Sequence, residues 1–104
     1  MKRYIKSSKE TDKIQDVIED AIDYVAGKLG IWHDTATKGG RVFHYYYDGE
    51  DNYELGSADY EEELQELIAE YEESYSKSDF YKRVHNYLIY LCGLESNKYN
   101  YIKY

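Results

Sequence analysis

Apolar residues fall at Ile14, Val17, Ile18, Ala21, Ile22, Val25 and Leu29, at offsets of 3, 4, 7, 8, 11 and 15 from the first. This is the stripe of an amphipathic helix. Ser8 or Thr11 is placed to cap its start, and Gly30, free to take a positive φ, to end it. From Ile31 the period changes. Ile31-Trp32-His33 and Arg41-Val42-Phe43-His44-Tyr45-Tyr46-Tyr47 are rich in β-branched and aromatic residues, and Lys38-Gly39-Gly40 lies between them as a turn, so a hairpin is predicted. Asp48-Gly49-Glu50-Asp51 reads as a second turn and Asn52-Tyr53-Glu54-Leu55 as a short third strand.

Helical spacing then returns. Ser57 or Asp59 caps a second helix with an apolar face of Tyr60, Leu64, Leu67, Ile68, Tyr71 and Tyr75, and Asp59 with Glu62 three residues on favours a first turn. After a break from Ser74 to Ser78, with Ser78 as cap, Phe80, Val84, Tyr87, Leu88 and Leu91 mark a third helix that ends at Gly93. The tail, residues 95–104, is tyrosine-rich and reads as an edge strand or a loose end. The predicted architecture is α+β, with the order helix, two- or three-stranded antiparallel sheet, helix, helix. At 104 residues without proline or a low-complexity linker, the chain is expected to be one domain, opened by a basic segment over residues 1–9.

Charge changes the picture more than composition does. The net charge of −8 is concentrated in the middle of the chain, where residues 42–76 contain no lysine or arginine. On a helical wheel Asp59, Glu62, Glu63, Glu66, Glu70 and Glu73 fall in one sector, an anionic ridge with carboxylates about 5–6 Å apart. The first helix repeats the device with Asp12, Asp16, Glu19, Asp20 and Asp23. An exposed helix face is ordinarily charged, but a face made only for solubility mixes both signs, and like charges at i,i+4 cost a few tenths of a kcal/mol per pair. So acidic a surface argues against direct DNA binding, which needs clustered lysine and arginine, and favours a basic partner. The fifteen tyrosines support an interface. Tyr45, Tyr46 and Tyr47 cannot all face the core, because side chains alternate across a strand, and Tyr46 is assigned to the contact surface.

Catalytic chemistry finds little support. His33, His44, His85 and Cys92 are the candidates for metal or nucleophilic work. His85 and Cys92 lie about 10 Å apart along a helix, beyond Cys–His hydrogen-bond reach. His33 and His44 are able to meet across the hairpin and to hold a metal with Asp34 or Asp48, which makes a small metal-dependent hydrolase an enzymatic alternative. Gly27-Lys28-Leu29-Gly30 lacks the P-loop spacing. No cofactor is expected. Met1 to Asp12 lacks the apolar stretch of a secretory signal, no run approaches the roughly 20 apolar residues of a membrane span, and one cysteine makes no internal disulfide, so a cytoplasmic protein of a bacterial host is expected.

The element order, the acid-loaded turn Asp48-Gly49-Glu50-Asp51 and the Asp79-Phe80-Tyr81 opening of the last helix resemble small phage-encoded anti-CRISPR proteins of the type II-A inhibitor class. Those proteins are similarly small and acidic, and act as DNA mimics at the protospacer-adjacent-motif site of Cas9. The resemblance implies a non-enzymatic inhibitor that occupies the DNA or RNA groove of a bacterial defence nuclease. Its contacts would be Asp48, Glu50, Asp51 and Glu54 on the loop and the anionic rows on the helices. Lys2, Arg3, Lys6 and Lys9 depart from a uniformly acidic mimic. An immunity protein or antitoxin that neutralises a basic nuclease toxin is the alternative on the same surface.

Overall fold

The first apolar stripe lies on α1 (Lys9–Leu29), where Ile18, Ala21, Ile22, Val25 and Leu29 are buried and Ile14 packs beside them. Val17, at the margin of the stripe, is exposed. The structure is a computed structural model and describes residues 9–104. Thr11 lies within the helix and so does not cap it, while Ser8 and the basic residues Lys2, Arg3 and Lys6 lie outside the described residues. At the other end Gly30 takes φ 73° and hands the chain directly to the first strand.

Strands β1 (Ile31–Lys38), β2 (Arg41–Asp48) and β3 (Glu54–Asp59) form one antiparallel sheet with β2 in the centre. Gly39 and Gly40, both at positive φ, make the first turn. The second connection is longer than a two-residue turn. Asp48 accepts hydrogen bonds on Oδ1 from the backbone N–H groups of Glu50 and Asp51, and Asn52 takes φ 57°. The third strand is therefore shifted from the predicted 52–55 to Glu54–Asp59. Residues 56–59 satisfy the free edge of β2, and the register slips between Tyr46 and Tyr47, leaving Leu55 as the extra residue of a bulge.

Helix α2 (Tyr60–Glu73) begins at Asp59, whose side chain accepts from the N–H groups of Glu61 and Glu62. This is the predicted cap, and the rival Ser57 lies in β3 instead. Helix α3 (Lys77–Leu91) is capped by Ser76 rather than Ser78 and ends at Cys92, followed by Gly93 at φ 63°. Tyr75 is not part of the α2 stripe: it sits in the connection between the helices and is 94% exposed. The tail forms neither an edge strand nor a loose end. After a short 3-10 turn, η1 (Ser96–Lys98), Tyr99, Ile102 and Tyr104 pack back onto the core. Tyr104 is held there by Ser78 Oγ, which donates to its main-chain oxygen at 2.5 Å, and by His85 Nδ1 at 2.6 Å from its hydroxyl. Burial lowers the pKa of His85 and so favours its neutral ring beside the Tyr104 hydroxyl.

All three helices cover one face of the sheet, and the core of Ile22, Val25, Tyr46, Leu64, Leu67, Phe80, Val84 and Leu88 lies between the two layers. Among the described residues no helix is long and apolar enough to cross a membrane. The layers approach closely at Gly56, where a Cβ would stand 2.6 Å from the carbonyl oxygen of Leu91 at the end of α3. Because that neighbour is backbone, Gly56→Ala is expected to force the helix end away from the sheet and to cost about 1–3 kcal/mol. Chemical denaturation of the variant measures this directly, and an unchanged midpoint would contradict so close an approach.

Candidate functional site

The alternation of β2 places His44 and Tyr46 on the covered face, and the ladder sets His33 opposite Tyr46 and Thr35 opposite His44. The two histidines are thus diagonal neighbours, with ring centroids 4.2 Å apart, as the hairpin reading anticipated. His33 also stacks on Tyr46 at 5.2 Å. Its Nδ1 lies 3.0 Å from Asp23 of α1, not beside Asp34 or Asp48, while its buried Nε2 has no hydrogen-bond partner. Among the described residues no group of three or more histidine, cysteine or acidic side chains converges as a metal-binding set.

The centre of this cluster is Glu63. Its side chain is only 3% exposed and receives three hydrogen bonds: His44 Nδ1 at 2.7 Å on Oε1, and the hydroxyls of Tyr46 at 2.8 Å and Tyr87 at 2.7 Å on Oε2. Both Glu63 and Tyr46 were expected on the contact surface, and the structure places both inside. The physical reason is local: Glu63 is three residues after Tyr60 and four before Leu67, so it belongs to the apolar stripe by spacing although not by chemistry. Burial of a charged group is tolerated here because every donor it faces is satisfied by it. Spacing alone was the signal that could have identified it.

The same network fixes the protonation of its neighbours. Burial, then the charge of Glu63, raises the pKa of the Tyr46 and Tyr87 hydroxyls well above the ordinary tyrosine range. Burial and the same charge push the Cys92 thiol up to about 11. In the unfolded chain these groups lose their protons near pH 8.5 for cysteine and near pH 10 for tyrosine, roughly. Between those values and the raised folded ones the native state holds more protons than the unfolded state, so stability falls as pH rises, by roughly 1.4 kcal/mol per pH unit for each proton retained. The melting temperature is therefore expected to fall progressively from about pH 9 upward. Thermal scans between neutral pH and pH 11 check this, and a flat profile would contradict the buried network.

The surface carboxylates divide into two groups. On α2, Asp59 caps the helix and also meets Arg41, whose Nη2 is 2.5 Å from it. Burial would raise the Asp59 pKa, but the hydrogen bond from Arg41 and those from the backbone of Glu62 and Glu61 hold it below the usual carboxylate value. Glu70 and Glu73 face Arg83 of α3, at 2.8 Å and 3.7 Å. The stretch that lacks bases in sequence is thus partly neutralised in space by the two arginines that flank it. Glu62 and Glu66 remain exposed on α2 and form no ion pair with a described residue. The second group, Glu50, Asp51 and Glu54, stands exposed at the β2–β3 connection, again without an ion pair to a described residue. Asp48 is half-buried, with one oxygen committed to the turn. Five residue steps along β3 separate Glu54 from Asp59, roughly 16 Å, so the ridge and the loop are two patches at opposite ends of the sheet. On α1, Glu19 accepts a hydrogen bond from Tyr60, which withdraws it from that helix's anionic row.

Comparison with protein families, curated proteins and solved structures finds no match for this chain.

Proposed function

We propose that the protein is a non-enzymatic inhibitor of a bacterial nucleic-acid-binding nuclease of the CRISPR-effector type, occupying its DNA or RNA groove with carboxylates in place of phosphates. The observation that carries this reading is exposed carboxylate that no ion pair among the described residues takes up, above all Glu62 and Glu66 one helical turn apart on α2, and Glu50, Asp51 and Glu54 beside the sheet. Two anionic patches held on a rigid two-layer scaffold suit a basic groove, because fixed charges pay little conformational entropy on binding and steer the encounter. The partner is a basic protein, and the inhibitor itself touches no DNA.

Affinity capture from a bacterial lysate, with the bound proteins identified by mass, tests the reading. Capture of basic nucleic-acid-binding nucleases that added duplex DNA or RNA releases is the expected result. A bound set that is indifferent to nucleic acid would overturn it.

A further inference from the structure

The face of the sheet turned away from the helices is open and aromatic. Cross-strand pairs share a face, so Trp32 with Tyr47, Asp34 with Tyr45, and Ala36 with Phe43 all lie on it, and β3 adds Glu54 beside Tyr47. Trp32 is 63% exposed. Its indole leans over the β2–β3 connection, where a Cβ on Gly49 would stand 3.2 Å from Nε1. The next two residues of that connection are the exposed Glu50 and Asp51. On the same face the chain supplies its own cation: Lys38 Nζ lies 5.2 Å from the centre of the Tyr45 ring, and its charge also acts on Glu54 and Tyr47. Over Trp32 and Tyr47 no lysine or arginine of the described residues is placed.

We propose that the Trp32–Tyr47 end of this face is the subsite for an arginine side chain of the basic partner, the guanidinium lying on the indole and facing the carboxylates of Glu50, Asp51 and Glu54. The inference rests on the basic-partner reading above and specifies where that partner is anchored. Charge complementarity selects the occupant: an aromatic surface rimmed by acids attracts a cation and repels phosphate. The planar guanidinium fits better than an ammonium because it stacks on the ring and also offers a fork of donors to the carboxylates. The Lys38–Tyr45 contact shows the same face already holding a cation against a ring.

Trp32 is the only tryptophan, so its emission reports on this site alone. Titration of the full chain with an arginine octapeptide at low salt is expected to change the emission saturably, and a lysine octapeptide is expected to bind more weakly. By calorimetry, Trp32→Ala is expected to weaken the arginine peptide roughly threefold to tenfold. Glu50→Gln with Asp51→Asn should weaken it too, with Trp32 still present to report, and both variants should melt as the parent does. Binding of the arginine peptide without an emission change, or with equal affinity for Trp32→Ala, would overturn the subsite and leave the basic-partner reading standing. Failure of both basic peptides to bind would overturn the subsite and the basic-partner reading together. An emission change produced by a single-stranded oligonucleotide but not by the peptide would make the face a base-stacking surface, and one produced by concentrating the protein alone would make it a self-association surface. Either result overturns the arginine assignment.

Discussion

Glu63→Ala is expected to destabilise the fold by about 3–5 kcal/mol, because it removes at once the acceptor for the buried His44 and Tyr46 and the half-buried Tyr87. For a domain of this size that corresponds to a fall in melting temperature of more than about 10 °C. The donors are His44, Tyr46 and Tyr87, contributed by the central strand and by α3, so the loss would be felt in both layers. Glu63→Gln is expected to fall between, since an amide retains one acceptor oxygen but turns N–H groups toward donors. Glu66→Gln, three residues further along the same helix and exposed, should change stability by less than about 0.5 kcal/mol. Thermal denaturation of the three variants decides the matter, and equal melting of Glu63→Ala and Glu66→Gln would return Glu63 to the surface.

Glu63 also shows where sequence reading reached its limit. The α+β order, the hairpin, the Asp59 cap and, apart from Val17 and Tyr75, the stripes of the three helices follow from periodicity and turn chemistry, and the structure contains them. What misled was residue type taken over position. A glutamate among glutamates reads as surface, yet its spacing from Tyr60 and Leu67 fixes it on the buried stripe. Its partners come from β2 and α3, so the compensation that makes burial possible is tertiary and has no local signature. The pairing of Arg41 with Asp59, and of Arg83 with Glu70, is hidden for the same reason: charge counted along the chain does not see arginines that return from outside the counted stretch. The place of β3 is likewise set by tertiary contact, since the missing side chain of Gly56 is what admits the end of α3.

The second large effect concerns binding. Fixed carboxylates on a rigid surface steer a basic partner, so its association rate is expected to fall by roughly 10- to 1,000-fold as salt is raised from low to several hundred millimolar. The two patches should contribute differently. Glu62→Gln with Glu66→Gln removes charges that point into solvent from the helix, and should slow association. Replacing Glu50 and Glu54 by glutamine and Asp51 by asparagine removes groups beside the open aromatic face, where contacts become desolvated, and should speed dissociation at a cost of about 2–5 kcal/mol. Asp48 is left in place in these variants, since it holds the turn through two backbone N–H groups. Surface plasmon resonance with the captured partner separates the two rates.

Competition tests anionic mimicry most directly: the purified partner is held on the immobilised protein while its own nucleic-acid substrate is added at fixed salt. The account predicts that the nucleic acid displaces the partner and that the two never bind it together. A stable ternary complex of partner, nucleic acid and this protein would contradict it.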